Sequence, residues 1–517
     1  MIGVADIVAR NAFLPSGRER VALTIGSASC SYLELVRRAN RLANALVGLG
    51  VRAGDRVAVL MGNGIAWPEV LFGLSAIGAV CVPVNVLLNG RDVNHVVADS
   101  GAVALVADRV AQAALEGIAA LPRLLVRVGD FDPAVGTGWR DYEALIAAAS
   151  DSPAARRPAP ADPAMMYYTS GTTGLPKGAV HSHAGILWNT FHQIADVGLA
   201  KDDVYLLIPS LSWAAGFHDV MLALMWLGGR VAMLPTGGLS IDRIVDAVGR
   251  ERATHTLLVP TLLRQLIATP GAFERLRRTR LRRIYTGGEM VPPSVMASVN
   301  AELPECRVIQ LYGMSEFPLM MTILDAQDGL EHPERTGRAS SIVTLGVEQG
   351  DGSILACGSG EVVVRSPATM LRYHNQPEAS ERALHGGWFR TGDTGVIDEE
   401  GFLTLNGRAK DMIISGGMNI YPREIEDLVA RVAGVVDVAV VGVPDARWGE
   451  VPVAIVVAPG AGVELEEAVR EACQALSSFK RPKAVVLRAD ALPRTPTGKV
   501  LKRELRPWVE GYLQADS

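Results

Sequence analysis

No surplus of basic residues marks this 517-residue chain: 50 Lys and Arg stand against 55 Asp and Glu, a formal net charge of −5. That balance argues against a dedicated nucleic-acid binder, and the cluster Arg277, Arg278, Arg280, Arg282 and Arg283 reads as a solvated helix or loop face. No C-x-x-C pair occurs among Cys30, Cys81, Cys306, Cys357 and Cys473, which are odd in number and widely spaced. This is the usage of a reducing compartment. No apolar run is long enough to span a bilayer, since "VMLALMWLGG" from Val220 is stopped by Arg230. No basic segment precedes an apolar one at the start, where "MIGVADIVARNAF" carries Asp6 and Arg10. A cytoplasmic protein without nucleic-acid partner or membrane span is expected. A repeat of about 20 to 50 residues is also missing, which excludes a solenoid. What is present is ordinary for a folded chain, 49% apolar and 20% charged residues, at a length that allows two or more domains with their own cores.

Ser31 followed by Glu34 predicts a capping box that opens the helix "YLELVRRANRLANALVGLG", ended by Gly48 and Gly50. The short apolar runs "RVAVL" at Arg56, "AVCVPVN" at Ala79, "VALVAD" at Val103, "VYLLIP" at Val204 and "RVAMLP" at Arg230 alternate with helical segments. That is the pattern of α/β layers around buried strands. "SPAARRPAPADP" from Ser152 reads as an exposed connection. After "GFLTLNGRAKDMIISGG" about a hundred residues remain, with strands "VVDVAVVGV" and "VPVAIVVAP" and the helix "VELEEAVREACQALSSF", enough for a small α+β domain. The expected division is 1–409 and 410–517.

The stretch "YYTSGTTGLPKG", residues 167–178, combines small hydroxyl residues, spaced glycines and Lys177. Its backbone amides, hydroxyls and lysine can all donate to an anion, and phosphate is the first candidate. The alternative is a plain flexible turn. A P-loop is excluded at two positions: Pro176 stands in place of the second glycine, and Gly178 replaces the Ser or Thr that would hold magnesium.

Further polar islands follow in order: "YTGGEM" at 285, "LYGMSE" at 311, "GWFRTGDTG" at 387, "NGRAKD" at 406, "SGGMNIYPREIE" at 415 and "PRTPTGK" at 493. Together, these seven motifs resemble those of the acyl-adenylating superfamily, which contains acyl-CoA synthetases, nonribosomal adenylation domains and firefly-type luciferases. The resemblance runs from about residue 25 to about 505. It implies a large N-terminal domain of layered α/β sheets with a β-barrel-like subdomain, and a small mobile α+β C-terminal domain. It also implies a reaction. A carboxylate is a poor acyl donor, so it first attacks the α-phosphate of ATP, giving acyl-AMP and pyrophosphate, and a thiol then displaces AMP. Positioning and electrostatics are the protein's main contribution.

By this resemblance Thr169, Ser170, Gly171, Thr172, Thr173, Gly174 and Lys177 cradle the β- and γ-phosphates. Glu316 coordinates magnesium, a cation that prefers hard oxygen ligands. Ser315 stands where the family commonly has threonine and keeps the hydroxyl. Gly287, Gly288 and Glu289, with Tyr312 and Gly313, correspond to the adenine cleft, Tyr312 having a simple core role as its alternative. Asp393 and Arg408 correspond to the ribose contacts. Lys499 matches the lysine that bridges carboxylate and α-phosphate, against the usual solvated state of a lysine near a C-terminus. Lys410 occupies the hinge position or is merely solvated. The family's C-terminal domain rotates after adenylation, which brings Gly416 and Gly417 to the thiol tunnel.

The segment "IPSLSWAAGFHD", 208–219, stands in place of the family's "PLFH", whose histidine gates the acid and thiol sites. Counting from Gly216 places Trp213 at the gate and counting from Pro209 places Ser212; Trp213 is preferred because a large ring can swing. Neither can bind an α-ammonium group, and Asp219 comes several residues late, which argues against an amino-acid substrate. Trp213, Phe217, His218, Met314 and Met320 are the expected pocket lining, a mostly apolar set suited to a medium-length, alicyclic or aromatic acid. His218 is expected either to bond a ring substituent or to be satisfied by protein partners. The H-x-H pair His181 and His183 lacks nearby cysteine or carboxylate partners, so a metal reading is set aside and "AVHSHAGILWN" is expected to start a helix behind the loop. The expected activity is therefore ATP-dependent, AMP-forming ligation of a hydrophobic carboxylic acid to coenzyme A, with ATP, Mg2+ and CoA as cofactors. Delivery to a carrier protein and a catalytically silent nucleotide-binding protein are the alternatives. A homodimer is compatible with the resemblance.

Overall fold

A computed structural model of the chain describes residues 3–131, 136–154, 157–169, 176–288, 291–415, 418–445, 447–460, 462–494 and 500–515. It divides into two compact units, Met1–Thr344 with Val364–Phe389, and Leu345–Val363 with Arg390–Ser517.

The larger unit is built on two sheets. In one, the strands run in the order Arg372–Tyr373, Lys177–Ser182, Pro163–Thr169, Val80–Pro83, Arg56–Leu60, Ala104–Asp108, Leu124–Val128 and Arg140–Asp141. From Pro163–Thr169 onward all neighbours are parallel. Parallel strands need crossovers, and the helices Ala66–Ile77 and Gly90–Ser100 supply them. Covered on both faces, these strands are almost uninterrupted Val, Ala and Leu, as buried strands must be. The second sheet sets Gly337–Ala339, Phe317–Leu324, Arg307–Met314, Arg283–Gly287, His255–Leu257, Val204–Leu207, Arg230–Met233, Val21–Ile25 and Ala28–Ser31 side by side.

The N-cap of the expected box forms: Ser31 Oγ accepts from the Glu34 amide at 3.2 Å and opens the helix Tyr32–Gly48. That helix packs on Ala66–Ile77, where ten of twelve residues are buried, Glu69 among them. The Glu69 carboxylate is held by Arg38, Nε to Oε1 at 2.5 Å and Nη2 to Oε2 at 3.2 Å, and by the Tyr142 hydroxyl at 2.6 Å. The helix expected to begin within Ala179–Asn189 begins at His183. Lys177–Ser182 is a strand paired antiparallel to Pro163–Thr169, and Ser182 caps the helix by accepting from the Gly185 amide at 3.0 Å.

The smaller unit contains a run of antiparallel strands, ending in Trp388–Ile397 paired with Phe402–Arg408. A second sheet orders Met418–Ile420, Ile413–Ser415, Gly449–Val457 and Asp437–Asp445, with Ala484–Arg488 parallel to Gly449–Val457. Helices Pro422–Val429, Val463–Ala472 and Lys502–Ala515 complete it. These are mixed α/β sheets in a large N-terminal and a small C-terminal part. Among the described residues no helix is long and apolar enough to cross a membrane.

Candidate active site

Thr169 and Lys177 face each other as the last paired residues of two antiparallel strands that flank the glycine-rich stretch in sequence. Ser170, Gly171, Thr172, Thr173 and Gly174 lie outside the described residues. The base of the loop is held by its neighbours. His95 Nε2 bonds the Pro176 carbonyl at 2.9 Å, and the Tyr168 hydroxyl donates to Asp99 Oδ2 at 2.6 Å. Burial, reinforced by that carboxylate, pushes the Tyr168 phenol well above its ordinary pKa, so it stays a donor.

Tyr373 connects the loop to the predicted metal ligand. The Lys177 ammonium sits over its ring at 5.5 Å from the centroid, and its hydroxyl donates to Glu316 Oε1 at 3.0 Å. The backbone fixes the same geometry, since Met370 N donates to the Glu316 carbonyl at 2.9 Å and His374 N to the Gly178 carbonyl at 2.7 Å. Nothing in the sequence signalled Tyr373; the only local cue is the short polar and aromatic run "RYHN" at 372–375. A cation and an oxygen ligand are thus brought together through one aromatic residue. Such a carboxylate and hydroxyl set fits a hard divalent cation shared with phosphate oxygens.

His181 Nε2 donates to the Ser315 carbonyl at 2.7 Å, pinning the turn that carries Glu316. Burial lowers the His181 pKa to about 4, so the ring is neutral with its proton on Nε2. His183 turns elsewhere, its Nδ1 accepting from the Val4 amide at 3.2 Å. The two imidazoles thus bond different backbone groups, His181 the Ser315 carbonyl and His183 the Val4 amide.

Gly287 closes the strand Arg283–Gly287 opposite Leu311, and a Cβ there would stand 2.4 Å from the Leu311 carbonyl oxygen. Only glycine lets the strands approach this closely. Gly288 has φ of +86° with open space where a side chain would be, a conformation that favours glycine. Tyr312, Gly313 and Met314 end the adjacent strand, Arg307–Met314, and Ser315 and Glu316 form the turn into Phe317–Leu324. Glu289 lies outside the described residues.

In the expected pocket segment, Ser212 Oγ is 2.7 Å from Ser210 Oγ, whereas Trp213 Nε1 is buried with no hydrogen-bond partner among the described residues. Phe217 is fully buried and packs edge-on against Trp67 at 5.3 Å. Met320 is fully buried with φ of +60°, and Met314 is half-buried. His218 is buried, its ring edge-on to Tyr167 at 5.5 Å.

In the smaller unit Asp393 and Arg408 are Cα partners across an antiparallel pair, with Arg408 Nε 2.7 Å from Asp393 Oδ1. The Asp393 amide donates to Thr391 Oγ1 at 3.1 Å, which fixes the strand at the carboxylate. Lys410 sits exposed in a short 3-10 turn, Ala409–Asp411, and partial desolvation lowers its pKa. Gly416, Gly417 and Lys499 lie outside the described residues.

The chain belongs to the AMP-binding enzyme family: residues 13–374 match that family and residues 424–499 match the AMP-binding enzyme C-terminal domain. It is similar to the long-chain-fatty-acid–CoA ligase FadD13 of Mycobacterium tuberculosis, with 35% identity over 480 residues covering 92% of each chain. A feruloyl-CoA synthase of an Amycolatopsis species is 35% identical over 487 residues, 94% of this chain and 95% of that one. Among solved structures, a Mycobacterium tuberculosis fatty acyl CoA synthetase superposes with a TM-score of 0.78 at 31% identity, over 98% of both chains.

Proposed function

We propose that the protein is an ATP-dependent, AMP-forming acyl-CoA synthetase acting on a carboxylic acid with a hydrophobic body. The acid attacks the α-phosphate of ATP and expels pyrophosphate, and the thiol of CoA then displaces AMP from the acyl-AMP. The observation that carries this reading is the Lys177, Tyr373 and Glu316 chain beside the glycine-rich stretch. It places a cation beside a carboxylate, the pair needed to hold a polyphosphate together with its counter-ion.

In this reading Lys177 and the loop from Thr169 bind the departing pyrophosphate, and Glu316 is the protein ligand for Mg2+. When bound, Mg2+ neutralises charge on the phosphate oxygens. Gly287 and Gly288 leave room for adenine beside Tyr312. Asp393 accepts from the ribose hydroxyls, a duty suited to an acceptor-only carboxylate, with Arg408 orienting it. Lys499 bridges the acid and the α-phosphate in the first half-reaction, Lys410 is the hinge, and Gly416 and Gly417 serve the second. Likeness to CoA ligases of fatty and aromatic acids supports CoA as the acceptor.

The test is a pyrophosphate-release screen with ATP, magnesium and straight-chain, alicyclic and aryl acids, each with and without CoA. CoA-dependent release confined to one class of acid is expected. Thioester formed only on a holo-carrier protein would replace CoA as acceptor, and release with no acid at all would refute the reading. Lys499→Ala is expected to abolish acyl-AMP formation and spare thioester formation from supplied acyl-AMP. Equal loss of both half-reactions would remove Lys499 from this role.

A further inference from the structure

Four buried polar atoms without a hydrogen-bond partner among the described residues fall on the seven residues 213–219: Trp213 Nε1, both ring nitrogens of His218, and Asp219 Oδ1. Buried polar groups in native proteins are nearly always paired, so such a concentration calls for a cause. The backbone at the end of the same segment is tied to the helix His183–Asp196. Gln193 Nε2 donates to the His218 carbonyl at 2.5 Å and its Oε1 accepts from the Val220 amide at 2.8 Å, while Asn189 Nδ2 donates to that carbonyl at 3.4 Å. Val220, a β-branched residue, is held at φ of +67°, an unfavourable conformation that these bonds sustain. The chain is thus fixed at a cost in strain, and His218 is presented with both nitrogens bare.

The surroundings of the imidazole locate it at the reacting region. Its ring meets Tyr167, two residues before Thr169. Tyr167 also meets His181, whose Nε2 bonds the carbonyl next to Glu316. The helix Ala214–His218 packs on the strand Phe317–Leu324 that leaves the Glu316 turn. Burial, with His181 adding to it, lowers the His218 pKa to about 3, so the ring is neutral and offers one N–H donor and one bare acceptor. A charged group is not what such a ring selects, and a plain hydrocarbon would leave both nitrogens unpaired.

We propose that His218 determines specificity within the acid site, by hydrogen-bonding a hydroxyl group carried on the otherwise apolar body of the substrate. The inference rests on the acid-activating function above and narrows its substrate class to hydroxy-substituted hydrophobic acids. A hydroxyl can accept from the N–H or donate to the bare nitrogen, so it can pair with whichever nitrogen of the neutral imidazole faces it. A site built to pair such a group rejects the analogue that lacks it, because its own polar atoms are then stranded.

The experiment measures kcat/KM of the full chain for two matched pairs, para-hydroxyphenylpropanoic against phenylpropanoic acid and omega-hydroxydecanoic against decanoic acid. The hydroxy acid of at least one pair is expected to be preferred by about 10–100-fold. His218→Leu is expected to reverse that preference, lowering kcat/KM for the hydroxy acid and raising it for the parent, while His218→Asn keeps a donor and an acceptor and retains part of the preference. Thermal melting of both variants separates this effect from misfolding. Parent acids used as well as hydroxy acids by the wild type, or equal loss with both acids in His218→Leu, would overturn the role of His218. Absence of turnover with every acid would overturn the ligase function, and this inference with it.

Discussion

Replacing Arg38 by Met tests how the larger unit tolerates a carboxylate inside its helix layer. The Glu69 side chain is 1% exposed and receives two bonds from Arg38 and one from Tyr142. Arg38 also bridges to Glu143 at 2.6 Å, but that carboxylate is 64% exposed. The two arms differ in consequence: an exposed pair contributes about 0–1 kcal/mol, whereas removing one partner of a buried pair costs about 3–5 kcal/mol. The buried arm decides the outcome. With an unfolding entropy of about 2.1 cal/mol/K per residue over a unit of roughly 370 residues, the loss is a fall in Tm of about 4–6 °C. Glu143→Gln is expected to shift Tm by about 1 °C or less. Arg38→Met with Glu69→Leu is expected to recover most of the loss, because no charge is then stranded. The pH dependence has a definite sign. Burial raises the Glu69 pKa and Arg38 holds it down, so without Arg38 the folded pKa rises further. Stability linked to a raised carboxyl is present below its unfolded pKa and lost as pH rises through the folded one, so the Arg38→Met deficit grows from mildly acid to alkaline pH. Calorimetry and urea unfolding across that range measure it. A deficit below about 1 kcal/mol, or one that shrinks as pH rises, would refute the reasoning.

Tyr373→Phe keeps the ring beneath Lys177 and removes the bond to Glu316, so adenylation at subsaturating Mg-ATP is expected to fall by about 3–10-fold with little change in melting. An unchanged rate would detach Tyr373 from the site. Gly287→Ala drives a Cβ to 2.4 Å from the Leu311 carbonyl and is expected to cost about 1–3 kcal/mol while raising KM for ATP, read by melting and by initial rates. Asp219 is fully buried and burial raises its pKa well above the usual carboxylate range. Its neutral form is favoured in the fold, and wild-type stability is lost as pH rises through the folded pKa. Asp219→Asn is therefore expected to gain in Tm over wild type as pH increases; a difference independent of pH would sink the assignment.

Local chemistry was legible in the residues themselves. Ser31 and Glu34 announce their helix start because the bond that caps it spans three residues. The parallel strands show as Val, Ala and Leu runs because both of their faces are covered. The helix that begins at His183 falls within the stretch expected to start one, whereas the strand Lys177–Ser182 before it is decided by pairing with Pro163–Thr169. Tyr373 was invisible, since its two partners, Lys177 and Glu316, lie far away in the chain and only strand pairing assembles them.

The sequence by itself determined the family, the order of its motifs and hence the class of reaction, because phosphate, ribose and carboxylate chemistry demand particular residue types in local runs. Tertiary structure alone decided which of those residues meet. It set Asp393 opposite Arg408 through strand register, buried Glu69 with Arg38, and left both nitrogens of His218 bare. Burial and long-range partners depend on how distant segments pack, and no short stretch of residues encodes that packing.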